Sequence, residues 1–263
     1  MNLSGKRVLL TGATGGLGGA IAHALAARGA ELVLTGRRTD VLEPLAAAVG
    51  GVAIAADLSE PDAIDALLAE AGEIDVLVAN AALPGSGPLL SYTTDEIDRA
   101  LAVNLRSPML LARALGERMV ARGSGHMVFT SSLSGKAASP GASVYAATKF
   151  ALRGFALCLR EDFVGTGVGV SLVSPGFITG AGMFEDTGIK LPPGVGSSPV
   201  EDVGAAVVKA IESGRTEIVV APLAMRAGSA LSGLFPGPVG AIQRHLGAKK
   251  IADAMGDAQR VKR

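Results

Sequence analysis

The 263-residue chain has a single cysteine, Cys158. That excludes a disulfide framework, and the expected location is a reducing compartment, the cytoplasm. Cys158 lies inside a helical apolar pattern and reads as a small core residue. Net charge is missing too, because 24 Lys and Arg balance 24 Asp and Glu. No overall field would draw such a chain to nucleic acid. The three histidines, His23, His126 and His245, are too far apart to share a metal, and no other ligand cluster stands out. Long hydrophobic runs are also lacking. Lys6 and Arg7 followed by apolar residues imitate a signal sequence, but the glycines from Gly12 to Gly19 interrupt it. Residues 163–184 carry no charge, yet Gly165, Gly167, Gly169 and Ser174-Pro175-Gly176 break them, so no membrane span is expected. Linkers, internal repeats and low-complexity tracts are absent, and the length accommodates one α/β domain or two small ones.

Short apolar strands alternating with helical stretches are what the chain does contain. Residues 7–11 (R-V-L-L-T) form the first strand, and T-G-A-T-G-G-L-G, residues 11–18, leads at once into a helical run at 20–28. Gly12, Gly16 and Gly18, with Thr14 and Leu17 among them, thus sit where a strand turns into a helix N-terminus. Glycine lets a backbone approach a pyrophosphate there, and the helix end offers free N–H groups; the alternative is an ordinary turn. Residues 31–35 form the second strand, ending in Gly36-Arg37-Arg38. A carboxylate at this point would suit the free 2′-hydroxyl of NAD, whereas two arginines suit the 2′-phosphate of NADP. Solvated arginines opening the next helix are the competing explanation.

The third strand, 52–55, is followed by Asp57-Leu58. Ser59 can cap the next helix with Pro61 and Asp62 in its first turn, which leaves Asp57 free to contact an adenine amine. Strand four, 74–79, runs into Asn80-Ala81-Ala82 and a loop that reaches Tyr92. The spacing from Thr93 to Glu96 is that of a capping box, opening a helical region to about Arg122 that contains Asn104. Strand five covers 126–131. Strand six, 168–173, delivers Pro175, Gly176 and Ile178 to its carboxyl end, Ser198 to Glu201 reads as a capped helix start, and a seventh strand spans 217–221. This pattern predicts an α/β fold: a doubly wound parallel sheet of about seven strands, order 3-2-1-4-5-6-7, with helices on both faces. Ligands then bind at the carboxyl ends of the strands.

Chemistry concentrates between Thr130 and Phe150. Tyr145 and Lys149 are four apart and share one face of a helix predicted over 142–164. An ammonium about 4 Å from a phenol is worth about 4 kcal/mol at an effective dielectric near 20, enough to lower the tyrosine by roughly three pKa units. Ser132, thirteen residues before Tyr145 at the end of the fifth strand, can direct its hydroxyl to the same point. A bare Y-x-x-x-K is a weak signal by itself, since such pairs commonly mean an interfacial ring and a solvated amine.

Together, the glycine-rich turn at 11–18, Asn80-Ala81-Ala82, Asn104, Ser132, Tyr145-x-x-x-Lys149 and Pro175-Gly176 resemble the short-chain dehydrogenase/reductase family over roughly residues 5–221. The resemblance implies NAD(P)-dependent carbonyl or alcohol redox chemistry. It makes Tyr145 the general acid/base, Lys149 the group that lowers its pKa and holds the nicotinamide ribose, Ser132 the residue orienting the substrate oxygen, and Asn104 the support of a proton-relay water. Cofactor contacts are implied for Gly12, Thr14, Gly16, Leu17, Gly18, Arg37, Arg38, Asp57, Leu58, Asn80, Tyr145, Lys149, Pro175, Gly176 and Ile178. Two departures stand out: Ala79-Asn80-Ala81-Ala82 replaces the family's Asn-Asn-Ala-Gly, and the threonine after Pro-Gly is shifted to Thr179. The expected cofactor is NADP, with NAD as alternative. The substrate is expected to be a small carbonyl or alcohol compound, and subunits pair as a homodimer or homotetramer through helices near 94–122 and 142–164.

Residues 177–198 hold Phe177, Ile178, Met183, Phe184, Ile189 and Leu191 among glycines and prolines. Such a loop can close over a site, which suggests an apolar ketone, aldehyde or secondary alcohol, although packing alone would explain it equally. Beyond residue 221 the resemblance weakens. Residues 221–263 contain seven Lys and Arg against Asp253 and Asp257, so this extension carries +5 and the remainder −5. It is expected to lie on or beside the substrate cleft, touch a membrane surface, meet a phosphorylated carrier, or remain a solvated extension. A catalytically silent nucleotide-binding scaffold of the same fold is the competing overall reading.

Overall fold

Runs of Val, Leu and Ile with no polar alternation make strands that must be covered on both faces. The computed structural model, which describes residues 1–191, 195–245 and 248–260, places seven of them in one parallel sheet. They are β1 (Arg7–Thr11), β2 (Glu31–Gly36), β3 (Val52–Ala55), β4 (Val76–Ala79), β5 (Gly125–Thr130), β6 (Val168–Pro175) and β9 (Glu217–Val220). Two-residue strands β7 (Ile178–Thr179) and β8 (Ser198–Pro199) pair separately within the expected loop. The sheet order is β3-β2-β1-β4-β5-β6-β9, the expected doubly wound sequence with β9 as the seventh main strand. All residues of the central strands β4 and β5 are buried, while edge strand β3 leaves Val52 exposed.

Helices cover both faces. On one side α1 (Gly16–Ala26), α2 (Thr39–Val49) and α7 (Val200–Ser213) bury Ile21, Leu25, Leu42, Val203 and Val207 against β1 and β2. On the other, α3 (Ala63–Ala71), α5 (Ser107–Ala121) and α6 (Ser143–Asp162) bury Leu67, Leu111, Leu115 and Leu152 around Phe129. α4 (Thr94–Leu101) opens with the predicted capping box, Thr93 N–H donating to Glu96 at 2.8 Å and Glu96 N–H to Thr93 Oγ1 at 3.2 Å.

Four local expectations are corrected. Ser59 does not cap α3, which starts at Ala63 behind Asp62; its hydroxyl and N–H instead bond Asp57 Oδ1. Ser198 is likewise no cap: it pairs with Ile178 in the β7–β8 ladder, and Pro199 precedes α7. The helical region expected to run to about Arg122 is interrupted by a π-helical turn (Ala102–Arg106) that joins α4 to α5 and buries Asn104. Cys158 is exposed, because α6 buries Val144, Thr148, Lys149, Leu152 and Ala156, and residue 158 falls off that face. Beyond β9 the extension forms α8 (Leu223–Leu234), α9 (Pro236–His245) and α10 (Ala248–Gln259), with Pro236 and Pro238 in the first turn of α9, where a missing N–H costs little. Residues 192–194, 246–247 and 261–263, which include the basic Lys262 and Arg263, lie outside the described residues. No helix among the described residues is long and apolar enough to cross a membrane.

Candidate active site

β1 ends at Thr11, and the packing just beyond it explains the glycines there. Gly12 has φ +67°, and a Cβ on it would stand 2.6 Å from Ala81 Cα, so only hydrogen fits. Thr11 Oγ1 accepts from the N–H groups of Asn80 and Ala81, each at 3.0 Å, while Asn80 Nδ2 donates to the carbonyls of Thr11 and Gly12. β1 and β4 are thereby stitched together at their carboxyl ends. α1 starts behind Gly15 with no side-chain cap and no acid in its first turn, which leaves N–H groups and positive dipole for an anion. These residues therefore fit a dinucleotide pyrophosphate. One contact at this turn has no signal in the sequence: the backbone of Ala181 and Gly182 lies directly against Gly16, where any Cβ would collide with it.

The arginines after β2 are engaged. Arg38 donates to the Thr14 carbonyl, and Arg37 stands 3.6 Å from Asp57 Oδ2. Arg99, from α4, reaches the same oxygen at 3.9 Å. Asp57 is thus not free, as the sequence suggested, because two arginines and Ser59 share it. Burial pushes its carboxyl up, but the Ser59 hydrogen bonds and the two guanidinium groups outweigh this and hold it below the usual range. Leu58 is a core residue beside Ile54 and Ile64. Ile178 is 4% exposed in the opposite core, so only its backbone can face the cleft.

Around β5 the predicted residues do converge. Ser132 is extended, its Oγ accepting from Ser134 N–H at 3.1 Å and hydrogen-bonding the Tyr145 phenol. The neighbouring Ser131 is turned away, donating to the Lys149 carbonyl. Lys149 is 1% exposed; its Nζ donates to the Thr130 carbonyl at 2.9 Å and lies 5.6 Å from the Tyr145 ring centroid. Desolvation brings this amine down to about 8. The tyrosine moves opposite to expectation: burial pushes it up to about 12, and the Ser132 hydrogen bond recovers only part. The ammonium is held on the Thr130 carbonyl and lies over the ring, 5.6 Å from its centroid, and burial of the phenol prevails.

Asn104 braces the wall behind these groups. Its Oδ1 accepts from Leu83 N–H at 2.7 Å, and its Nδ2 donates to the Leu83 carbonyl at 3.0 Å and to Thr148 Oγ1 at 3.3 Å. Thr148 in turn donates to the Tyr145 carbonyl. Pro175 and Gly176 close β6 against Val220, with Gly176 beside Leu133 and Met225. Glu217, at the start of β9, gathers Lys136 Nζ at 2.9 Å, Arg153 Nη2 at 3.0 Å and Ser174 Oγ at 2.8 Å. Thr11, Arg99, Thr148 and Glu217 were not singled out in the sequence; only Thr148, beside Lys149, carried a positional hint.

The family model described as "short chain dehydrogenase" matches residues 6–190. The chain belongs to this family. Its relatives include the ketoacyl reductase HetN of Nostoc sp. strain PCC 7120, 40% identical over 227 residues, covering 83% of this chain and 79% of that one. A dehydrogenase/reductase SDR family protein 7-like of Anopheles gambiae is 34% identical, with 89% and 81% covered. Among solved structures, a short-chain dehydrogenase from Sphingobium yanoikuyae in complex with NADPH superposes with TM-score 0.77 at 30% identity, covering 89% of this chain and 94% of that one. A metagenomic short-chain oxidoreductase in complex with NADP gives TM-score 0.70 at 32% identity, with 84% and 99% covered. This short-chain dehydrogenase is accordingly a nicotinamide-dependent oxidoreductase.

Proposed function

We propose that the protein transfers hydride between NADP(H) and an apolar ketone, aldehyde or secondary alcohol, and reduces carbonyls at neutral pH. What carries this reading is the meeting of Ser132 and Tyr145 above the buried Lys149. The Tyr145 phenol donates its proton to the carbonyl oxygen while the Ser132 hydroxyl holds that oxygen. Burial disfavours the phenolate, so at neutral pH Tyr145 holds the proton that carbonyl reduction consumes. Lys149, fixed on Thr130, keeps positive charge beside the phenolate that remains. Asn104 and Thr148 position the helix turn that carries the tyrosine. The cofactor, when bound, supplies the hydride.

NADP is favoured over NAD because Arg37 and Arg38 stand at the end of β2 where a 2′-phosphate would lie, and NADP- and NADPH-bound neighbours share the fold. Gly12, Gly16, Gly18 and the N-terminus of α1 would hold the pyrophosphate, once the 180–182 backbone withdraws from Gly16. Gly180 at φ +87° and Gly182 at φ +99° supply flexible points for that movement. Phe177 and Phe184, ring centroids 4.8 Å apart, form an apolar wall on the same segment. Similarity to a ketoacyl reductase points to acyl ketones within this class. The exposed apolar residues Met109 and Val120 of α5 and Phe150 of α6 mark the faces through which two subunits would pair.

The test is Tyr145→Phe. Fluorescence titration should show NADPH binding retained while turnover on a panel of apolar ketones falls by ~10² to 10⁴. Full activity in that variant would remove the tyrosine from the mechanism. Absence of NADP(H) binding by the unaltered protein would favour instead the silent scaffold, with Gly182 as a permanent plug.

A further inference from the structure

The polarity of α8 is inverted. Three residues on one helical face, Met225, Ser229 and Ser232, point into the molecule; the serines are 6% and 5% exposed, and Met225 reaches toward Gly176. On the opposite face Leu223, Ala227, Ala230 and Leu234 follow at i, i+4, i+7 and i+11, the spacing of an apolar stripe. Leu223 is 78% exposed and Leu234 72%, with Leu231 beside them at 51%. Phe235 and Ile242 continue the surface at 57% and 59%. Five of the thirteen exposed large hydrophobic residues among those described thus fall within twenty positions. A monomer in water gains nothing from serine inside and leucine outside, so a patch this concentrated marks an interaction surface.

Charge decides what covers it. No acidic residue occurs between Glu217 and Asp253, while exposed Arg226 and Arg244 flank the stripe and form no ion pair among the described residues. A two-fold copy of this chain would press one basic segment onto another. The substrate cannot be the occupant either, because the stripe faces away from Gly176 and Leu133 on the cleft side. We propose that α8 and α9 dock this protein on an anionic lipid surface, with the leucines and Phe235 entering the headgroup boundary and the arginines meeting lipid phosphates. α8 would then separate the bilayer from the carboxyl end of β6 by one helix diameter, about 10 Å.

Vesicle flotation with the full chain tests this without cofactor or substrate, so its outcome is independent of the redox assignment. The protein should float with phosphatidylglycerol/phosphatidylcholine vesicles, stay behind with phosphatidylcholine alone, and be released as salt is raised. The Leu231→Ser/Leu234→Ser variant should bind at least roughly tenfold more weakly with its melting temperature unchanged. Arg226→Glu/Arg244→Glu, which leaves the apolar stripe intact, should lose the preference for anionic vesicles, and it carries the test if the leucine variant unfolds. Failure of the unaltered protein to float, or flotation unchanged in both variants, overturns the proposal. A drop in oligomer size on light scattering of the leucine variant would give this face to a second copy instead.

Discussion

His126 and Lys149 are both buried cations in waiting, and they answer to different needs. His126 lies in β5 with Nε2 3.0 Å from Ser171 Oγ, away from the cleft, and burial drives it down to about 4. Its folded value is below the unfolded one near 6.5, so the stability it contributes is complete above pH 6.5. That stability is lost as pH falls through 4, where the unfolded chain takes the proton more readily. The difference is worth about 3 kcal/mol. Urea midpoints should fall between pH 7 and pH 5, and His126→Asn should flatten that slope; an unchanged slope would place the titration elsewhere. Nothing in the sequence flagged this pair, since Ser171 is 45 residues away and the two meet only when β5 and β6 align. Tyr145 and Lys149, by contrast, were legible because a four-residue helical spacing fixes their common face. Their electrostatics were not: the sign of the tyrosine shift depends on the balance of burial against the Ser132 hydrogen bond, both properties of the assembled fold.

At the scale of elements, β9 holds the cleft together through one carboxylate. Burial would push Glu217 up, yet hydrogen bonds from Arg153, Lys136 and Ser174 hold it below the usual range. These partners tie α6, the segment after Ser132 and the end of β6 to a single side chain that is 13% exposed. Glu217→Gln keeps the shape and removes the charge, leaving two partly buried cations uncompensated. A destabilisation of about 2 kcal/mol is expected. Turnover should fall more than NADPH affinity, because the residues disturbed flank Ser132 and Tyr145 rather than the glycine-rich turn. Thermal melts and paired kinetic and binding measurements check this, and equal losses in both would contradict it. The seven sheet strands were readable from apolar runs and their order from the alternation with helices. The break at Asn104 was not, because a π turn is imposed by Leu83 and Thr148, which lie 21 and 44 residues away.

On the scale of the whole molecule, the extension beyond β9 reaches back to the loops around the tyrosine. α10 packs against two of them at glycines: a Cβ on Gly256 would stand 2.8 Å from Gly87 Cα, and one on Gly141 would stand 3.0 Å from Ala252. Gly87 N–H donates to the Gly141 carbonyl, and Gly85 lies against Tyr145, so the α10 contact at Gly87 is two residues from a glycine that touches the candidate acid. Gln259 completes the strap by donating to the Met183 carbonyl, in the segment that covers Gly16. The sequence offered four destinations for this extension; Ala252, Gly256 and Gln259 follow helical spacing but are too small or too polar to announce a buried face. Through these contacts α10 is expected to set how readily the 180–184 segment opens. Gly256→Leu has no room against Gly87 and should lift α10, since overpacking of this kind typically costs about 1–3 kcal/mol. Amide hydrogen exchange at residues 84–88 and 181–185 should then accelerate, NADPH should associate faster, and KM for apolar ketones should rise because the Phe177–Phe184 wall is no longer held. If exchange in those two segments stays at the level of the unaltered protein while α10 itself is displaced, the extension is not coupled to the cleft.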